Sequence, residues 1–592
     1  MRMIGCKGVG RIVLAAAVMA AAGTSRAGAA PGMAGDTGGS APAVLSQIPS
    51  DATAAVVIGN LKSLGTKISN LGTRLNLTQR FGIPLPPDLV GFASRNLGIT
   101  KGLDPNGSAA LVLLGMTPEE LPTMGGPNGP PIVFLIPTTD ANGMLSDVSP
   151  GAKDADGIEE VTIPAMGDRK TFTAVVADKW VAFSHNHDVL DKYMKRQGEG
   201  LDKTVAGLGG SATGAAALQV FSGNDAVVWW NLPAISTVVS PYLDRAQEQV
   251  SEGMDLANMS ANQPAITAAM QKAMFSVYFQ SFRAVLHDGA GAMTTLRLSD
   301  AGVTFGNIAV MKEGSEAGKV IAALPLPGSS AKDLTLNGLP GGGFLAAAVA
   351  RLDGAALAGP IGSFGDSLMQ DQVISKDPDA PQIQRMITLA KDLASMQRGL
   401  KMVLLDPPAG VKSGFGRGAF LSDVTDPAKS VQLSLSLYDD KQLVAVLQKF
   451  SPTIVMTPTI VRDAVTIKGV KLTKVQMEYK LPEATADHPA PPGAEMGLDM
   501  IKHMYGPDGM TMYVGVVGKR VLTVIGAEPG VLEGAVAAAQ ADSDELDAVP
   551  AVAAEKREIS KDAIGVAYAP MGKWAALFGD MLTAQLQMSG EL

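Results

Sequence analysis

Residues 45–61 read LSQIPSDATAAVVIGNL, and residues 336–352 read LNGLPGGGFLAAAVARL. In both stretches an apolar residue precedes a proline-containing turn, which leads into an apolar run of strand length. The distance from Pro49 to Leu61 equals the distance from Pro340 to Leu352. The repeated stretch predicts an internal duplication in which each half of the chain opens with the same turn and strand.

Two weaker repeats support the duplication. Residues 225–232 (DAVVWWNL) resemble residues 562–568 (DAIGVAY), and residues 179–183 (KWVAF) precede a helical pattern, as do residues 519–523 (KRVLT). The spacing between these repeats differs between the halves, so another partition of the chain stays open. A segment rich in Pro, Gly and Ser separates the halves, and we predict a first domain over 44–326 and a second over 331–592.

The strand patterns occur in hairpins rather than in alternation with helices. Residues 294–298 and 303–310 alternate on either side of an Asp-Ala-Gly turn, and residues 419–426 and 431–437 are read as strands in the second half. Long helical patterns cover residues 238–286 and 381–400. This organisation predicts an α+β fold, with antiparallel sheets packed against long helices, rather than a doubly wound parallel sheet.

The N-terminus has the pattern of a bacterial secretory signal peptide. A basic start is followed by an apolar run over 12–22 and by Ala27-Gly28-Ala29, which predicts cleavage between Ala29 and Ala30. The apolar run is shorter than the ~20 residues needed to span a membrane. We predict a signal peptide over 1–29, a flexible linker over 30–43 and a periplasmic or secreted mature chain.

Composition excludes several classes of function. The one cysteine among the 592 residues, Cys6, lies in the signal peptide, so the mature chain would have no disulfides, no thiolate nucleophile and no cysteine-bound metal. The net charge of -9 becomes -13 when residues 1–29 and their four cations are removed. Without a basic run, nucleic acid is not an expected partner. No later segment has 18 consecutive apolar residues, so no membrane span is predicted after cleavage.

His185 and His187 are the candidate metal ligands. They flank Asn186 at the end of a predicted strand, where alternation would place both rings on one face, near Asp188 and Asp191. Two imidazoles with carboxylates would suit Zn²⁺ or Cu²⁺. The alternative is a polar turn in which Asn186 or Asp188 caps the following helix.

Methionine is unusually frequent, with 29 residues. Met496, Met500 and Met504 recur every four residues on a predicted helix and would share one face. Such a face could hold Cu(I), line an apolar ligand site, or pack in an ordinary core. No resident cofactor is predicted, and Met496, Met500 and Met504 are kept as the candidate ligand-binding residues.

Several phrases resemble a family of exported bacterial proteins known only as a domain of unknown function. The resemblance rests on the signal peptide, on IPSDATAAVVIGNL at 48–61, on GLDPNG at 102–107 and on IVFLIPTTD at 132–140. It covers most of residues 45–330 and extends more loosely into the second half. The family has no established catalytic residues, so the resemblance implies none here.

Three functions remain open from the sequence. The leading hypothesis is a non-enzymatic envelope protein that binds a ligand or a protein partner, because the chain contains no recognised catalytic motif. The first alternative is a periplasmic hydrolase with dispersed catalytic residues, including His185, His187, Asp188 and Asp191. The second is a structural or assembly component of the envelope.

Overall fold

The computed structural model describes residues 40–74, 86, 88–96, 98–120, 130–148, 150–163, 170–196, 199–208, 211–260, 265–299, 303–407, 414, 416–449, 454–482, 494–526, 528–556, 565–570 and 573. The predicted signal peptide, the cleavage site at Ala29 and Ala30 and most of the predicted linker lie outside the described residues.

The first half of the chain opens with a 3-10 turn at Ala43–Gln47. Its elements are, in chain order, β1 (Ala54–Ile58), α1 (Leu61–Arg74), α2 (Leu89–Asn96), β2 (Ala109–Leu113), β3 (Ile132–Pro137), α3 (Ala141–Ser146), β4 (Pro150–Lys153), β5 (Glu159–Val161), β6 (Thr171–Val176), β7 (Trp180–Ser184), α4 (His187–Met194), α5 (Leu201–Ala206), α6 (Ser211–Gly223), β8 (Ala226–Trp230), α7 (Leu232–Ser260), α8 (Ala265–Asp288), β9 (Gly289–Leu298), β10 (Val303–Met311) and α9 (Glu316–Ala323).

The second half also opens with a 3-10 turn, at Ala331–Asp333. Its elements are β11 (Phe344–Arg351), α10 (Gly354–Gln370), α11 (Gln372–Ser375), α12 (Ala380–Met396), β12 (Gln397–Leu405), β13 (Gly418–Val424), α13 (Pro427–Asp439), α14 (Lys441–Lys449), β14 (Val455–Ile467), β15 (Val470–Lys480), α15 (Ala494–Tyr505), β16 (Met510–Val517), β17 (Arg520–Ile525), α16 (Pro529–Ala541), α17 (Pro550–Lys556) and β18 (Gly565–Tyr568).

The two sheets have the same strand order. The first sheet runs β10-β9-β8-β1-β2-β3-β7-β6-β5-β4, and the second runs β18-β11-β12-β13-β17-β16-β15-β14. Each strand from β1 to β8 therefore has a counterpart ten numbers later, and β9 and β10 extend the first sheet alone among the described residues. The α+β fold with two related antiparallel halves is confirmed.

The strands of the repeated stretch are offset by one residue from their prolines. Val57 of β1 and Val349 of β11 both face the main core of their half and are 292 positions apart, whereas Pro49 and Pro340 are 291 apart. A register shift near the start of β11 accommodates the extra residue. Aligning the two stretches by their equal spacing would therefore place β11 on the wrong face of its sheet.

Each half packs the same face of its sheet against the helices that follow β7 or its counterpart β17 in the chain. In the first half, α4, α5 and α6 supply buried residues such as Leu190 and Phe221. In the second half, α16 supplies Val536 and Ala539. Burial of these aliphatic and aromatic side chains stabilises both layers.

The first half contacts the second half through its long helix α8. Ala269 of α8 is buried with Ile374, Ile383 and Val446 of the second half. The predicted hairpin around residues 299–302 is confirmed by the antiparallel pairing of β9 with β10. None of the helices in the described ranges is both long enough and apolar enough to span a bilayer.

The strand predicted over 431–437 is wrong, because these residues belong to α13 (Pro427–Asp439). The alternation in VQLSLSL fits a strand, but the Asp426 side chain accepts a hydrogen bond from the Lys429 backbone and Pro427 occupies the first turn. Both features start a helix. Ser430 and Ser434 are buried one turn apart, so small residues allow α13 to lie close against the sheet.

Candidate functional site

The two histidines predicted as metal ligands have different surroundings. His185 is exposed just beyond β7, whereas the His187 Nε2 atom lies 2.7 Å from Asp154 Oδ2. Asn186 caps α4, because its side chain accepts hydrogen bonds from the Asp188 and Val189 backbone amides. In the described part of the chain, no three His, Cys, Asp or Glu side chains are grouped closely enough to hold a metal ion.

His187 and Asp154 form a charge-assisted pair on the surface. The hydrogen bond that His187 donates to Asp154 raises the pKa of His187, and the charges of Asp188 and Asp191 act in the same direction. The same hydrogen bond lowers the pKa of Asp154, which also accepts from the Ile158 amide. The arrangement joins the β4–β5 turn to α4, which is a structural use of the histidine.

Of the residues proposed for a dispersed hydrolase site, His187 and Asp188 lie close together, with 3.8 Å between Nδ1 and Oδ1, and Asp188 is fully at the surface. Asp191 instead binds Lys195, just after the end of α4, at 2.6 Å. A groove of about 780 Å³ in the second half is lined by none of these residues.

The three methionines predicted to bind a ligand lie on α15. Met500 is exposed and Met504 is half-buried. The side chain of Met496 lies outside what the structure describes. Met477, Met510 and Met512 are instead buried in the core between the second sheet and α13. Part of the methionine excess therefore packs a core.

The face of the first sheet turned away from its main core is almost entirely apolar over the six strands β3, β2, β1, β8, β9 and β10, and this part is here called the outer face. A row of directly opposed residues crosses six strands through Phe134, Leu111, Val56, Val228, Thr294 and Asn307. The remaining half-exposed or exposed residues of the outer face include Ile58, Ala109, Leu113, Ile132, Ile136, Ala226, Trp230, Ala292, Leu296, Val303, Phe305 and Ala309.

The two polar side chains of the outer face bind each other and a tryptophan. Thr294 Oγ1 lies 3.1 Å from Asn307 Oδ1, and the Trp230 indole N–H donates to Thr294 Oγ1 at 3.4 Å. These groups therefore satisfy one another within the face. Apart from the exposed Asn307 amide, the side chains that remain for a partner are apolar.

Three aromatic side chains on the outer face are exposed. Phe134 is 37% exposed, Trp230 40% and Phe305 60%, on β3, β8 and β10 respectively. Side chains of this size cover 150–250 Å² each, so these three leave about 300 Å² of aromatic surface in contact with water. An exposed apolar patch of this size on a protein surface marks an interaction site in many proteins.

The second half covers the equivalent part of its own sheet. Strand pairing makes Val56 and Leu111 equivalent to Ala348 and Met402, and both of the latter are buried. On the same face, Ala350 packs against residues of α10. The exposure of the outer face on β1 and β2 is therefore a difference between two halves that share one strand order.

None of the candidate site residues predicted from the sequence lies on the outer face. Its signal in the sequence is that β1, β2, β3 and β8 are continuous apolar runs, so the residues on both faces of these strands are apolar. Such runs are typical of strands that are covered on both faces.

Comparison with known proteins gives no relative: no protein-family model, no curated protein and no solved structure matches the chain.

Proposed function

We propose that this chain is an exported, non-enzymatic binding protein of the cell envelope, and that the outer face of its first half docks a protein partner. The observation that supports this function is the apolar surface across six strands, with Phe134, Trp230 and Phe305 exposed. Aromatic anchors surrounded by aliphatic contacts contribute much of the binding energy at protein interfaces. The signal-peptide pattern over 1–29 supports export.

The second half supports a helical partner. There the equivalent sheet positions are buried, and α10 contributes Ala356 and Leu357 against Ala350. The same sheet plan thus accepts a helix on this face. Because no charged residue lies on the outer face, a matching partner would present the apolar side of an amphipathic helix.

Site-specific photo-crosslinking in the producing cells tests the proposal. A photoreactive phenylalanine analogue replaces Phe134, Trp230 or Phe305, and a control variant carries it at Glu160, which is exposed on β5 of the same sheet. We expect one shared protein adduct from the three outer-face positions and none from Glu160. The crosslinked peptide of the partner should come from an amphipathic helix.

Two results would contradict this function. One is the absence of an adduct at all three outer-face positions, with normal amounts of folded protein. The other is an adduct of this chain with itself, which would favour the alternative of a structural or assembly component.

A further inference from the structure

The second half has a layer of charged residues around the buried Lys401 where the first half is apolar. Strand pairing places Asp423 of β13 directly opposite Arg520 of β17, and Lys401 of β12 pairs with Leu421, two residues before Asp423. Their counterparts on β2, β3 and β7 are Ala110, Pro137 and Trp180, all of which are buried. Because the first half closes the same layer without charge, the shared fold does not require these ions.

The layer contains an unusual buried cation. Lys401 is 5% exposed, and among the described residues it is the one buried lysine or arginine. Its ammonium donates to the Asn337 carbonyl at 2.8 Å and lies 3.4 Å from Thr335 Oγ1. Burial lowers the pKa of Lys401, while the charges of Asp423 and Asp542 raise it. Burying a charge costs free energy, so packing alone does not explain why a lysine occupies this position.

Two arginines complete the layer with ion pairs. Arg351 Nη1 lies 2.8 Å from Asp423 Oδ2, and Arg520 Nη1 lies 2.7 Å from Asp542 Oδ1. Asp423 therefore binds Arg351, and its charge also raises the pKa of the nearby Lys401. Asp542 differs from Asp423, because its carboxylate is 58% exposed and belongs to a left-handed residue that ends α16.

A groove of about 780 Å³ opens beside this layer. Asp423 and Arg520 line both the layer and the groove. The volume is in the usual range for small-molecule sites. The apolar part of the lining comes from β15 and β16 and from one residue each of α13 and α16, and consists of Val431, Val470, Val514, Val516, Val517 and Ala539.

The charge around the groove favours an anion. Lys471, Lys519 and Arg520 line it against two carboxylates, Asp423 and Asp463. Each carboxylate already has a cation partner: Arg351 binds Asp423, and Lys471 binds Asp463 at 2.9 Å. Lys519 has no ion-pair partner within the described ranges, and it follows the exposed turn at Gly518. The groove is thus locally cationic on a chain whose net charge is -9.

We infer that this groove binds a small organic oxyanion, a carboxylate or phosphate attached to a short apolar body. The oxyanion would lie on Arg520 and Lys519 and take the place that the Asp542 carboxylate holds in the free protein. Arginine suits this role because its planar donors match both carboxylates and phosphates. The apolar body would pack on Val516, the exposed valine of the groove.

Titration calorimetry of the full chain at low ionic strength tests this inference with four probes. Acetate and hexanoate form the carboxylate pair, and inorganic phosphate and phenyl phosphate form the phosphate pair. We expect the probe with the apolar body to bind at least tenfold more tightly than its partner in one of the pairs. That pair identifies the oxyanion. No detectable binding of any probe would overturn the inference.

Variants locate the binding. Asp542→Asn should tighten binding about fivefold or more because it frees Arg520, whereas Arg520→Gln should weaken it at least tenfold. Arg385→Gln is the matched control, because Arg385 is an exposed arginine paired with Asp440 on the helices of the same half. It should leave the affinity unchanged.

Unchanged affinity in both Asp542→Asn and Arg520→Gln would place the anion elsewhere and contradict the inference. Lys519→Gln replaces an exposed side chain, so it tests the same site if Arg520→Gln does not fold. Binding should not change when the outer face of the first half is altered, which separates this site from the proposed partner surface.

Discussion

Gly291 on β9 is expected to be one of the least replaceable residues of the first half. A Cβ atom at this position would lie 2.0 Å from Cη2 of Trp229, with two further ring carbons within 2.8 Å. Trp229 is completely buried in the main core of the first half, so its ring has no free space to move into. We expect Gly291→Ala to lower the free energy of unfolding by about 3 kcal/mol, as for a strongly overpacked core.

A double-mutant cycle tests whether the tryptophan ring is the cause. Trp229→Leu removes the ring and should itself cost about 3 kcal/mol. The double variant should cost about 2 kcal/mol less than the sum of the single variants, because the added methyl group fills part of the vacated space. Urea unfolding at 25 °C, followed by circular dichroism, measures all four proteins.

Two outcomes would refute this reasoning. One is a cost below about 1 kcal/mol for Gly291→Ala, where overpacking typically costs more. The other is additivity of the two substitutions within about 0.5 kcal/mol, which is expected of residues that do not touch.

Three further predictions concern other parts of the fold. The raised pKa of His187 means that its pairing with Asp154 stabilises the protein below pH 6.5 and is lost as the pH rises through that pKa. An NMR titration should therefore place the pKa of His187 above 6.5, and Asp154→Asn should lower it. In urea unfolding, Asp423→Ala should cost about 3 kcal/mol by leaving Arg351 without its ion-pair partner beside the buried Lys401, whereas Lys401→Met should cost about 1 kcal/mol; equal costs would contradict this assignment. Gly534→Ala, at an open position inside α16, should raise the unfolding free energy by about 1 kcal/mol, and a loss in a thermal melt would contradict it.

The fold class followed from the sequence because its signals are local. Turn residues between alternating runs predict hairpins, and β9 with β10 is such a hairpin. The duplication was visible because Leu45 and Ile48 have buried counterparts in Leu336 and Leu339. The strand predicted at 431–437 failed because the helix-starting residues Asp426 and Pro427 and the packing of α13 outweigh alternation.

The two candidate sites could not be predicted from sequence, because both depend on which strands lie side by side. Lys401, Asp423 and Arg520 are separated by up to 119 positions, and only the sheet order brings them into one layer. Similarly, the continuous apolar runs of β1 and β8 predict strands that are covered on both faces, whereas the structure leaves Trp230 of β8 exposed. Exposure is a property of the assembled fold and has no local pattern.

Cysteine labelling of the outer face tests the proposed partner surface most directly. In a Cys6→Ser background the chain has no other thiol, so single variants Phe305→Cys, Ala348→Cys and Glu160→Cys each report one position. In the purified protein, a maleimide should label positions 305 and 160 rapidly and the buried position 348 slowly. In the intact envelope, we expect position 305 to become at least tenfold slower to label while position 160 stays unchanged. Equal labelling of position 305 in both preparations would contradict a partner on this face.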